Sequence, residues 1–159
     1  MSFISSIILR SVTVTSNKMD FTRPDIDVTK VAVKFKLRNE LEEDKDSKSC
    51  KLTFSSDVIG KLTDGDGDDP DFDLVDNEFS FSLTVEYEFE IKDYEKFSSV
   101  DEDERTEACA NIVYLDFRRR MTVGANNIGI SSFRLPLSIM SLNKSKEKEK
   151  EKEKEKETE

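Results

Sequence analysis

Seven aspartates between Thr63 and Asn77 (Asp64, Asp66, Asp68, Asp69, Asp71, Asp73 and Asp76) place carboxylates at near-alternate positions of one stretch. Carboxylates spaced in this way are the raw material of a calcium loop. Against the helix–loop–helix calcium pattern begun at Asp64, position six is Asp69, where the sharp turn needs glycine. Position twelve is Val75, where a bidentate glutamate is needed, and no helical pattern flanks the stretch. The aspartates therefore read as an exposed acidic loop, because this much like charge cannot be packed, and no dedicated metal site is expected. Cys50 and Cys109 stand in unrelated contexts without CxxC spacing, which provides no zinc ligand set. The chain has no histidine, so a Ser-His-Asp or Cys-His arrangement cannot form and an imidazole base is lacking. No glycine-rich phosphate loop follows a strand pattern. This inventory points away from catalysis and from a cofactor, and towards binding.

Composition narrows the partners. The 159 residues are 35% apolar and 38% charged, so the core must be small for the length. Residues 144–159, KSKEKEKEKEKEKETE, contain no apolar side chain and read as a disordered, charged tail in which seven lysines and seven glutamates cancel. The net charge of -10 thus belongs to residues 1–143, where 28 acids face 18 bases. Phosphate backbones and anionic lipids reward lysine and arginine clusters, so no nucleic acid and no membrane partner is expected. The one basic cluster outside the tail, Arg118-Arg119-Arg120, reads as a complement to a helix C-terminus. MSFISSIILR lacks a basic n-region and is not read as a signal peptide, and nothing approaches the ~18 apolar residues of a membrane span. A reducing cytoplasm with both thiols free is the expectation.

Four stretches alternate with the period of two that marks half-buried strands. They run through Ile8–Thr15, Val31–Arg38, Cys50–Ser55 and Phe79–Ile91. The last is the clearest, with seven apolar residues facing one way and Ser80, Ser82, Thr84, Glu86, Glu88 and Glu90 the other. Leu41–Ser49 is short and charged, suited to a hairpin, whereas Phe21–Lys30 with Pro24 is too long for one. Ser99/Glu102 and Asp101/Glu104 are spaced as capping boxes. Cys109, Ile112, Val113, Phe117 and Met121 then recur at helical intervals, with Ala108 and Leu115 widening the stripe. Gly124, Asn126 and Asn127 would end a helix of about five turns. Phe133, Leu135, Leu137 and Ile139 alternate around Pro136 beyond it. Strands followed by one helix, without βαβ alternation, indicate an α+β fold, a four-stranded antiparallel sheet whose dry face is covered by one long helix.

Residues 108–121, ACANIVYLDFRRRM, followed by Gly129 and by FRLPL at 133–137, resemble the signature of the SecB-type protein-export chaperones. Cys109, Asn111, Ile112, Val113, Tyr114 and Arg118 match it; Ala110 and Leu115 stand where that family usually has proline. The order of elements also agrees, but the family's second C-terminal helix is reduced or missing here, since apolar character ends at Leu142. The resemblance implies a SecB-like domain over 1–143 and an ATP-independent holdase for unfolded or precursor proteins. It further implies a homo-oligomer, dimer or tetramer, that serves protein translocation and engages a translocation motor. Client-lining positions would be Phe21, Ile26 and Val28 in the loop after the first strand, with Tyr114, Phe117 and Met121 on the helix. Glu86 and Glu88 on the wet face would dock the partner. Core packing is the plainer account of Phe117 and Met121. The alternative function is a dedicated interaction module on the same scaffold, toxin–antitoxin-linked or phage-encoded, with one specific partner.

Overall fold

Alternating side chains build four strands, β1 (Ile7–Phe21), β2 (Lys30–Asp44), β3 (Ser49–Thr63) and β4 (Phe79–Ile91). They are seen in a computed structural model that describes residues 3–21, 30–63, 79–128, 130 and 133–137. All pairings are antiparallel and the spatial order is β1-β4-β3-β2. β2, β3 and β4 form a meander, and β1 lies against the free edge of β4. The expected α+β architecture is therefore present. The loop carrying Ile26 and Val28, the aspartate-rich stretch, Gly129 and the tail lie outside the described residues.

The β2–β3 hairpin closes at residues 45–48. Asp44 Oδ1 accepts the backbone N–H groups of Asp46 (2.9 Å) and Ser47 (3.3 Å), and hydrogen bonds from Ser47 above all hold its carboxyl below the usual range. β4 supplies the centre of the core, with Phe79, Phe81, Leu83, Val85, Tyr87, Phe89 and Ile91 all buried on one face. β3 runs longer than its sequence pattern suggests, from Ser49 to Thr63. Ser56 and Val58 continue the dry face set by Cys50, Leu52 and Phe54, but a serine there hides the alternation. Two short elements escape sequence reading. A 3-10 turn at Phe3–Ser6 and the helix α1 (Tyr94–Ser98), capped by Asp93, meet through Phe3 and Phe97, whose ring centroids lie 6.3 Å apart.

The long helix α2 spans Glu102–Asn127, 26 residues rather than the five turns expected. Asp101 is its N-cap and accepts the N–H of Asp103 at 2.9 Å, and Glu102, Asp103 and Glu104 fill the first turn where the dipole favours acids. α2 runs obliquely over the sheet. Arg105 Nε pairs with Glu43 Oε1 at 2.7 Å near the β2–β3 turn, Phe117 stacks on Phe54 at 4.8 Å, and Gly124 lies against Phe81. Gly124 does not end the helix; it lets the helix approach β4, since a Cβ there would sit 2.0 Å from the Phe81 ring. Gly124→Ala gains about 1 kcal/mol of helix propensity but forces overpacking that costs about 1–3 kcal/mol. The expected outcome is a lowered urea midpoint, with Gly124→Val lower still.

The buried helix face also differs in detail from the expected stripe. Ala108, Cys109, Val113, Phe117 and Met121 are buried as their spacing suggests, joined by Ala110, Tyr114 and Ala125. Ile112 and Leu115 are not part of it, being 42% and 61% exposed. The i, i+4 line from Cys109 to Met121 faces the sheet, and Ile112 and Leu115 fall on the outward half of the helix. The helix passes beyond the arginine triplet, so Arg118-Arg119-Arg120 does not sit at its C-terminus. Arg118 Nε instead donates to the Leu135 carbonyl at 2.8 Å. No helix among the described residues is long and apolar enough to cross a membrane.

Candidate functional site

The helix divides the dry face unequally. On the β2 side the chain after α2 returns over the sheet, burying Ile130, Phe133 and Leu135. The Tyr114 hydroxyl donates to the Pro136 carbonyl at 2.8 Å, and Phe35 meets Phe133 edge-on at 5.6 Å. Among the described residues the β1 side has no such cover. Two register shifts in β1, between Leu9 and Ser11 and between Val14 and Ser16, bring Leu9, Val12, Val14, Asn17, Met19 and Phe21 opposite dry-face residues of β4. Five of these six are large and apolar, yet Leu9, Val12, Val14, Met19 and Phe21 are 39–43% exposed. Phe21 is partly fixed by stacking on Phe79 at 5.3 Å. β1 is also an edge strand, with one row of backbone N–H and C=O groups facing outward.

Between this apolar row and the adjoining flank of α2 lies an open groove of about 300 Å³. Val14, Met19, Phe81 and Leu83 form its apolar floor. Val123 and Gly124 stand on the helix wall, and Asn17, Asp116, Arg119, Arg120 and Asn127 supply the polar rim. Ile112 lies one turn before Asp116 on the same helix flank. Among the described residues that line it, the groove has no nucleophile and no paired acid and base. Its chemistry is that of a surface which takes up apolar side chains and offers a few polar contacts beside them.

One rim interaction reaches into the core. Tyr87 is the single hydroxyl on the dry face of β4, and it donates to Asp116 Oδ2 at 3.0 Å. The same oxygen accepts Arg120 Nε at 2.7 Å. Burial, helped by the neighbouring Asp116 carboxylate, pushes the Tyr87 phenol well above its ordinary value. With the folded-state value raised, this stabilisation is complete below the unfolded tyrosine value of about 10 and is lost as pH climbs beyond it. Tyr87→Phe, which forgoes the hydrogen bond, is expected to be about 0.5–1.5 kcal/mol less stable than the parent at neutral pH. Urea titrations should show that gap closing above about pH 10.

The residues singled out from sequence fall in four groups. Ile26 and Val28 lie outside the described residues. Phe21 sits at the end of the exposed β1 row. Tyr114, Phe117 and Met121, at 2% exposure or less, face the sheet or the returning segment and present no surface to a client in this protomer. Their spacing is that of core, and the groove lies on the next flank of the helix. Glu86 and Glu88 are on the wet face. Lys51 lies 3.7 Å from Glu86 and also pairs with Glu42 at 2.9 Å, while Glu88 accepts the Ser11 hydroxyl at 3.1 Å. Arg10 and Glu90 form a further pair beside them. Cys50 and Cys109, from opposite sides of the core, are both buried and free, and a hydrogen bond between them together with burial pushes the Cys50 thiol up. Val14 and Met19 are not distinguishable as groove residues in sequence, because the two register shifts break the period of β1, and Val123 falls outside the apolar stripe of α2.

No family model matches the sequence and no curated protein is similar to it. Among solved structures, the fold is similar to that of the Mycobacterium tuberculosis Rv1957 SecB-like chaperone, determined in complex with a ChAD peptide from the Rv1956 HigA1 antitoxin. The likeness covers 84% of this chain and 91% of that one, at a TM-score of 0.56 and 6% sequence identity. The four-stranded antiparallel sheet crossed by one long helix is thus a SecB-like fold, shared with a chaperone of almost unrelated sequence.

Proposed function

We propose that this protein is a non-enzymatic, ATP-independent chaperone that holds extended, apolar segments of unfolded polypeptides against β1 and the adjoining flank of α2. The observation that carries this reading is the row Leu9, Val12, Val14, Met19 and Phe21. These are large apolar side chains on the face that the helix covers elsewhere, left open along an edge strand. Exposed apolar rows of this kind mark interaction surfaces. The SecB-like fold supports the reading, and the solved neighbour holds a peptide. Clients for export and a translocation motor docking at Glu86 and Glu88 belong to the fuller form of this proposal, as does a cytoplasmic site of action.

The antitoxin peptide held by the neighbour favours a second, narrower reading, a module with one dedicated partner. Self-association to a dimer or tetramer through the open β1 edge is compatible with both. The absence of tryptophan makes the test direct, because the fluorescence of a Trp-containing client is free of background. A denatured secretory precursor is diluted into buffer with and without near-stoichiometric protein, no ATP being added. Marked slowing of its refolding supports the holdase. An unchanged rate overturns general client binding and leaves the dedicated-partner reading, to be pursued by affinity capture.

A further inference from the structure

The rim of the groove has a charge opposite to that of the body. Asp116, Arg119 and Arg120 stand side by side along it, two cations to one carboxylate, in a chain of net charge -10. The carboxylate is committed: Asp116 Oδ2 accepts both the Tyr87 hydroxyl and Arg120 Nε. Arg118, the third member of the triplet, points the other way, to the Leu135 carbonyl. Arg119 is exposed and has no ion-pair or hydrogen-bond partner among the described residues. Asn17 and Asn127 add amide groups at the same rim. An apolar floor beside one uncommitted guanidinium suits a ligand that is apolar along its length and carries an anionic group at one point.

We propose that the groove selects extended apolar segments bearing a single carboxylate, and that Arg119 is the residue that reads it. The inference rests on the groove being the client site and goes beyond it by naming the class of segment. A guanidinium offers paired N–H donors matched to the two oxygens of a carboxylate, which a lysine ammonium or a neutral side chain is not. The carboxylate could be an aspartate or glutamate side chain or a chain terminus; both present the same chemistry. The overall negative charge opposes acidic partners at long range, so the expected preference is local and specific to Arg119.

The test uses the full chain and fluorescein-labelled ten-residue peptides of alternating leucine and serine, amidated at the C-terminus, with Glu, Gln or Lys at one central position. A fourth peptide carries Gln and a free C-terminal carboxylate. Fluorescence anisotropy is expected to show the Glu peptide binding about fivefold more tightly than the Gln peptide, and the Lys peptide binding most weakly. Tighter binding of the fourth peptide than of its amidated twin would assign the anchor to a chain terminus. In Arg119→Gln the Glu and Gln peptides should bind alike, the Glu peptide having lost its advantage. Equal binding of Glu and Gln peptides by the parent protein, or preference for Lys, overturns the carboxylate anchor and leaves the groove intact. Failure of every peptide to bind overturns the groove reading itself and the anchor with it.

Discussion

Phe117→Ala is expected to remove about 3–5 kcal/mol of stability, the cost of emptying an aromatic site in a packed core. Phe117 is fully buried, stacks on Phe54 at 4.8 Å with an interplanar angle of 22°, and lies at the centre of the contact between α2 and the sheet. Phe54 in turn meets Tyr87 edge-on at 6.3 Å, so the loss is felt on both central strands. A domain of this size commonly has about 5–15 kcal/mol in total, and the variant should unfold at a much lower urea concentration than the parent. Ile112→Ala on the same helix, at a position 42% exposed, should change stability by no more than about 0.5 kcal/mol. The contrast separates the face that packs from the flank that borders the groove. Equal effects of the two substitutions would show that the helix is not seated as described.

Combined replacement of Val12, Val14 and Met19 by glutamine should weaken client binding strongly, on top of a cost in stability from the buried three-fifths of each side chain. These side chains are 39%, 43% and 43% exposed in the free protein. Burying a valine or methionine side chain completely is worth about 1.5–3 kcal/mol, so covering the remaining two-fifths is worth about 0.6–1.2 kcal/mol at each position. Together the three substitutions forgo about 2–3.5 kcal/mol, or about 30- to 300-fold in affinity for an apolar client. Titration of an unfolded client against the triple variant measures this, with a urea melt as control. Parent-like client affinity in the triple variant would remove β1 from the account.

The sheet was legible because its patterns are strict where one face is dry and the other wet. β4 carries seven buried residues in unbroken alternation, and Asp101 and the acids after it mark the start of α2 as a capped helix should be marked. What escaped reading did so for local reasons. Ser56 on the dry face made β3 look half its length, and Gly124, ordinarily a helix terminator, is placed inside α2 by its approach to Phe81. The groove was harder to read, because its position depends on tertiary cover. Tyr114, Phe117 and Met121 and the open β1 row are equally apolar in sequence; only the oblique path of α2 and the returning segment at Phe133–Leu135 decide which are sealed. The bulges in β1 then hide the common face of Val12, Val14 and Met19 behind an irregular period. The resemblance over residues 108–121 led to the fold, and the client positions it implies on α2, Tyr114, Phe117 and Met121, are buried in this protomer.

Hydrogen–deuterium exchange of the protein alone and in complex with an unfolded, Trp-containing client tests the location of the binding surface most directly. If clients lie along β1 and the adjoining flank of α2, deuterium uptake should fall in peptides covering residues 7–21 and 112–127. Uptake in the β2–β3 turn, at 44–49, should be unchanged. Protection confined to β2 and the segment after the helix, with 7–21 exchanging as in the free protein, would contradict the assignment and place the client on the opposite side of the sheet.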